Sequence, residues 1–117
     1  MGMRIRNERD GSVIADDAEV ARSPARRLVG LIGGREPGKG SALVIPKCRQ
    51  VHTFLMRFPI DIVFLDAENR ILSMAANVRP YSITRYCKCA VNAIELPAGT
   101  ASEYGLKPGD RLLMSEE

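Results

Sequence analysis

The stretch VHTFLMRFPIDIVFLD, residues 51–66, is almost wholly apolar and β-prone, interrupted only by His52, Thr53, Arg57 and Asp61 before its closing aspartate. Such a run predicts a buried strand, or two strands broken near Pro59, because proline has no N–H to give a sheet ladder. Downstream, Asp66-Ala67-Glu68-Asn69-Arg70 reads as a turn in which Asn69 takes positive φ, and Ile71-Leu72-Ser73-Met74-Ala75 returns as the second arm of a hairpin. Residues 77–88 are polar and irregular and predict a loop of about a dozen residues, long enough to carry function.

The rest of the chain follows the same logic. Residues 91–96 form a strand that Pro97 ends, and Thr100 with Glu103 makes a capping box for a one- or two-turn helix over 101–104 stopped by Gly105. Lys107-Pro108-Gly109-Asp110 fits a type II turn into a last strand over 111–114. Upstream, Ala42-Leu43-Val44-Ile45 is a short strand halted by Pro46, and Asp10-Gly11 marks a hairpin between strands containing Ile5 and Val13-Ile14. Ser23-Pro24 starts a helix whose apolar stripe Ala25, Leu28, Val29 and Ile32 ends at Gly33-Gly34. These elements predict an α+β but mainly β fold: a small closed or partly closed barrel-like sheet of short strands with one or two short helices.

The 117 residues are the size of a single domain, 1–117, and need neither disulfides nor metal to bury a core. No apolar run approaches the roughly 20 residues of a membrane-spanning helix, and the start lacks a signal-peptide core. Three cysteines, Cys48, Cys87 and Cys89, are an odd number whose bland reading is reduced thiols, so a cytoplasmic protein is expected. The net charge of +3 is mild, and with no tryptophan there is little stock for stacking on bases, which argues against nucleic acid as partner. Of the 17 basic residues 13 are arginines, a bias that codon usage accounts for as readily as anion binding does.

Asp61 and Glu95 are the residues whose chemistry needs explaining, since a carboxylate within an apolar strand must be paired, hydrogen-bonded or functionally perturbed. For each carboxylate the structural alternative is an ion pair with Arg57 or capture of loop N–H groups. Glu95, between Ile94 and Leu96, projects to the face opposite theirs. His52, Thr53, Met56, Arg57 and Asp61 fall within ten residues and, with Glu95, make up the candidate ligand-binding set: a base, a hydroxyl, a guanidinium and carboxylates suited to a small polar ligand. Cys48-x-x-x-His52 with Cys87-x-Cys89 has a composition that zinc accepts, but the spacing is not a standard paired pattern, so neither metal nor cofactor is expected.

The chain resembles the bacterial and archaeal family named domain of unknown function 192. The resemblance rests on residues 27–31, the 51–66 block, the Pro80 loop, IELPAG at 94–99 and GLKPGD at 105–110, spanning about 21–114. It implies a compact β-rich domain of a family without an established activity, some of whose members look exported. Carried over, its pattern marks Gly30, His52, Thr53, Met56, Asp61, Glu95, Pro97, Gly99, Gly109 and Asp110, with departures at Ile32 and Asn69. The expected function is a binding module with a polar pocket for a small ligand or a protein segment. The alternative is a hydrolase-like or lyase-like acid–base enzyme using Asp61 or Glu95 with His52.

Overall fold

The computed structural model describes residues 2–21, 38–54 and 56–116. Seven strands form one sheet: β1 (Met3–Asn7), β2 (Val13–Val20), β3 (Ser41–Pro46), β4 (Ile60–Leu65), β5 (Ile71–Val78), β6 (Asn92–Pro97) and β7 (Leu112–Glu116). A short helix, α1 (Thr100–Glu103), lies between β6 and β7. The order across the sheet is β5-β4-β6-β3-β2-β1-β7. Every neighbouring pair is antiparallel except β2 with β3, which run parallel from Asp17 opposite Ser41 to Val20 opposite Val44. At the far side β1 and β7 pair along their whole length, with Met3 opposite Glu116.

The sheet curls until its two outer strands meet at one end. Arg70 bridges Arg111, the Ile71 N–H donates to the Asp110 carbonyl at 2.8 Å, and the Leu112 N–H donates to the Asn69 carbonyl at 2.9 Å. Asn69 sits at φ 63°, the left-handed conformation that the turn requires and that asparagine tolerates. The result is a mainly β, curled half-barrel. Among the described residues α1 is its one helix; the helix predicted over 23–32 lies outside them, as do Arg22 and Gly30. No helix among the described residues is long and apolar enough to cross a membrane.

Alternation along β4 and β6 supplies both faces of the sheet with core. Val63, Leu65, Ile94 and Leu96 point to the concave side, where they pack with Ile5, Ile14 and Leu112. Ile60, Ile62, Phe64 and Ala93 point the other way, beneath Val51, Met56 and Phe58. All six residues of β4 are buried for this reason, and each large aliphatic so buried contributes about 1.5–3 kcal/mol.

Two expectations change. Residues 51–54 and 56–58 are not strand: His52 makes an isolated bridge to Ile83, and the Met56 N–H donates to the Thr53 carbonyl at 3.2 Å. Their apolar character comes from covering the convex face rather than from lying within the sheet. The capping box at α1 is also absent. Gly99, at φ 94°, takes the cap position with no side-chain cap, the Thr100 hydroxyl donates back to the Pro97 carbonyl at 2.7 Å, and Glu103 pairs with Lys39 at 2.8 Å.

Candidate functional site: a groove and apolar shoulder beside β5

Asp61 faces the concave side in phase with Val63 and Leu65, and it is 1% exposed. Its Oδ1 accepts the Asn77 N–H at 2.8 Å; its Oδ2 accepts the N–H groups of Gly99 at 3.1 Å and Ala101 at 2.9 Å. The carboxylate thus ties together the end of β5 and the start of α1, doing there what the capping box was expected to do. Loop N–H capture, not an ion pair with Arg57, is its partnership; Arg57 is exposed.

Thr53 performs a similar task on the convex side. Fully buried, it donates from Oγ1 to the Arg79 carbonyl at 2.5 Å and accepts the Ser82 N–H at 2.9 Å. Its backbone N–H reaches the Ser82 carbonyl at 2.8 Å, and its carbonyl accepts the Tyr81 N–H at 2.9 Å. The 79–84 loop is therefore pinned to the 51–56 turn, with Met56 buried beneath at 3% exposure.

What this pinning exposes is apolar. His52 and Ile83 face each other across a non-hydrogen-bonded antiparallel pair, in which side chains lie closest. The His52 ring stacks at a tilt on Phe54 with centroids 5.0 Å apart. Phe54, Tyr81, Ile83 and Tyr86 are 46%, 68%, 61% and 58% exposed, large side chains of the kind that mark interaction surfaces where they adjoin. Tyr81 holds φ 60°, a conformation bulky side chains rarely adopt.

Past this shoulder, residues 84–89 form one wall of a groove of about 600 Å³ whose other side is β5. Phe64, Leu72 and Ala75 give it an apolar floor, while Arg85 and Lys88 bring two cations; no acidic side chain lines it among the described residues. Cys87 and Cys89 line the same wall as free thiols, and the Ser73 hydroxyl donates to the Cys87 sulfur at 3.6 Å.

The six residues singled out in the sequence do not converge on one pocket. Glu95, 4% exposed, stands opposite Leu43 and Ile62 in register, whereas Asp61 pairs with Leu96, so the two carboxylates occupy opposite faces of the β4–β6 ladder. His52 is exposed on the shoulder, Thr53 and Met56 lie buried under it, and Arg57 is exposed beyond them. Among the described residues no cluster of three or more histidine, cysteine or acidic side chains is placed to hold a metal ion.

A second polar knot forms around Asp110, which the family pattern marks without disclosing its partners. Asp110, 5% exposed, accepts from Arg9 Nε at 2.8 Å, Arg9 Nη2 at 3.2 Å, Asn7 Nδ2 at 3.0 Å and the Lys107 N–H at 3.1 Å. The Arg9 guanidinium holds the Asp110 carboxyl below the usual carboxylate range. Asn7 is fully buried, and its Oδ1 accepts the Arg9 N–H at 3.0 Å. Beyond the family pattern, the signals were a polar side chain ending β1 and the Pro-Gly-Asp turn.

A curled, mainly β half-barrel with an apolar, cation-edged groove beside β5 is the class of protein these features define. The chain belongs to the family described as Uncharacterized ACR, COG1430, domain of unknown function 192, whose model matches residues 5–114. It is 29% identical over 98 residues to a UPF0127 protein of Pyrococcus abyssi, covering 80% of this chain and 82% of that one. Among solved structures it is similar to one from Sinorhizobium meliloti described as "a putative transcription regulator", with a TM-score of 0.82, 25% identity, and 96% and 91% of the two chains covered. A protein of unknown function from Novosphingobium aromaticivorans shares the fold with a TM-score of 0.81 at 24% identity, with 95% and 82% covered.

Proposed function

We propose that this chain is a binding module whose groove between β5 and residues 84–89 holds a small ligand or a partner's peptide segment. The groove itself carries the reading: about 600 Å³ with an apolar floor, two cations and, among the described residues, no acid is the usual build of a site for an apolar body with an anionic end. The exposed His52–Phe54–Ile83 shoulder extends the contact surface, with Arg57 adding charge beyond it. Thr53, Met56 and Asp61 serve by fixing the loops that shape the site. Glu95, buried on the convex face, belongs to the body beneath.

The acid–base alternative finds no comparable support, because Asp61 already accepts three N–H groups and lies across the sheet from Glu95. The description of the Sinorhizobium relative raises a nucleic-acid partner, yet the net charge is only +3 and the chain has no tryptophan. Three free thiols suit a reducing, cytoplasmic setting.

A thermal-shift screen of anionic and neutral metabolites tests the proposal, run on wild type beside Ala75→Trp, which fills the groove floor. A true ligand at a hundredfold excess over its dissociation constant stabilises wild type by about 2.7 kcal/mol. That gain should vanish in Ala75→Trp; a ligand that stabilises both proteins equally binds elsewhere and defeats the groove assignment.

A further inference from the structure

The strand that forms one side of the groove is also an edge of the sheet. Past Ile71, where the contact with the β7 end stops, β5 has β4 on one side and no described strand on the other. Edge strands ordinarily carry a charge, a proline or a short length that blocks further pairing. β5 is eight residues long, ILSMAANV, with neither a charged side chain nor a proline; its register against β4 shifts between Ile71 and Ser73 and between Ala75 and Val78, so Ser73–Ala75 is the regular stretch of this edge. The opposite edge, β7, is five residues long, ends at Glu116 and follows Arg111, so it is guarded in the ordinary way.

We infer that β5 is a docking edge, and that its occupant is an extended, acidic segment of a partner protein that adds to the sheet as an eighth strand. Main-chain hydrogen bonds to the free side of β5 would supply affinity, while alternate side chains of the segment would fall into the groove. Charge selects the occupant. Arg85 and Lys88 stand at the groove, and among the described residues neither makes an ion pair and no acidic side chain lines the groove beside them. A second copy of this chain fits poorly, since pairing β5 with β5 would bring the same cations toward one another. The inference rests on the groove as a binding site and names what enters it.

The test uses the isotopically labelled full chain, titrated with a peptide of about eight residues alternating valine and glutamate, a typical strand length. Chemical-shift changes should saturate and concentrate in the amides of Leu72–Ala76 and of residues 84–89. N-methylation of alternate peptide nitrogens, which removes ladder donors, should weaken binding about tenfold or more, as should Arg85→Glu combined with Lys88→Glu. The spectrum of each variant reports that it is folded. Equal binding by the N-methylated peptide, by its valine–lysine counterpart, or by the charge-reversed protein overturns the inference. So do shifts that map away from β5, or a concentration-dependent dimer that the peptide does not dissociate. If small molecules stabilise the protein through the groove while no peptide moves β5, strand addition fails and the binding-module reading stands. If the peptide pairs with β5 while no small molecule binds, the inference holds and the occupant is a protein segment alone.

Discussion

Asp61 holds three backbone N–H groups on two oxygens, so neutralising it changes two loops together. In Asp61→Asn one oxygen becomes an NH2 facing donors, leaving at least one buried N–H without an acceptor. Denaturant unfolding at neutral pH should show a loss of about 3 kcal/mol with an unchanged slope. A loss under about 0.5 kcal/mol, the size of an ordinary surface change, would contradict the structural role. Asp110 gives a pH signature instead. Its carboxyl is held below the ordinary value in the folded chain, so its stabilisation is present above the unfolded pKa of about 3.9 and is lost as pH falls through the lower, folded value. Asp110→Asn should therefore cost about 1–2 kcal/mol at pH 7, near the low end for charged hydrogen bonds because the Arg9 side chain is 40% exposed. Melting temperatures measured from pH 6 down to about pH 2 should then fall less steeply for the variant than for wild type. Of these two residues the first was legible from the run it interrupts, the second only through the family pattern. Asp61 interrupts an apolar run and draws the eye, although nothing local discloses that its donors come from residues 77, 99 and 101. Asp110 sits in a turn that reads as ordinary surface, and its partners, Asn7 and Arg9, lie at the far end of the chain.

At the scale of elements, the strands themselves were readable, and the long-range pairing between them was not. Asn69 and the 107–110 turn announce themselves through backbone chemistry, and the strands beside them fall where alternation puts them, although β5 continues to Val78. The parallel β2–β3 pair has no such local mark. The 51–58 segment misled because burial on the convex face leaves the same apolar imprint as burial in a sheet. Thr53 is what makes that segment a turn with a loop pinned to it, and Thr53→Val tests the point by keeping shape while removing Oγ1. The Ser82 N–H loses its buried acceptor and the Arg79 carbonyl its donor, so unfolding should cost about 1–3 kcal/mol. Amide exchange should accelerate over residues 79–84 well before the rest of the sheet responds. Uniform acceleration throughout would mean that the loop is not an independently tethered unit.

On the scale of the whole molecule, the mainly β character and the tendency of the sheet to curl follow from short strands and turn spacing. The groove could not be read at all, since its floor comes from two strands and its wall from a loop that sequence shows only as polar and irregular. The pairing of β1 with β7 has a consequence of another kind. Met3 lies directly opposite Glu116, neighbours about 5 Å apart in an antiparallel ladder, so the path of the chain is almost a closed ring. In such a ring the cut is arbitrary. A short glycine–serine bridge between the two ends, with a new opening in the exposed Asp66–Arg70 turn, should give a permuted polypeptide that refolds to the same sheet and melts within a few degrees of the original. Wholesale failure to fold would show that the β1–β7 seam must form in its native order. The same geometry lets the unit be spliced into a surface loop of another protein, entering and leaving at one point, with the groove and the free edge of β5 still open to solvent.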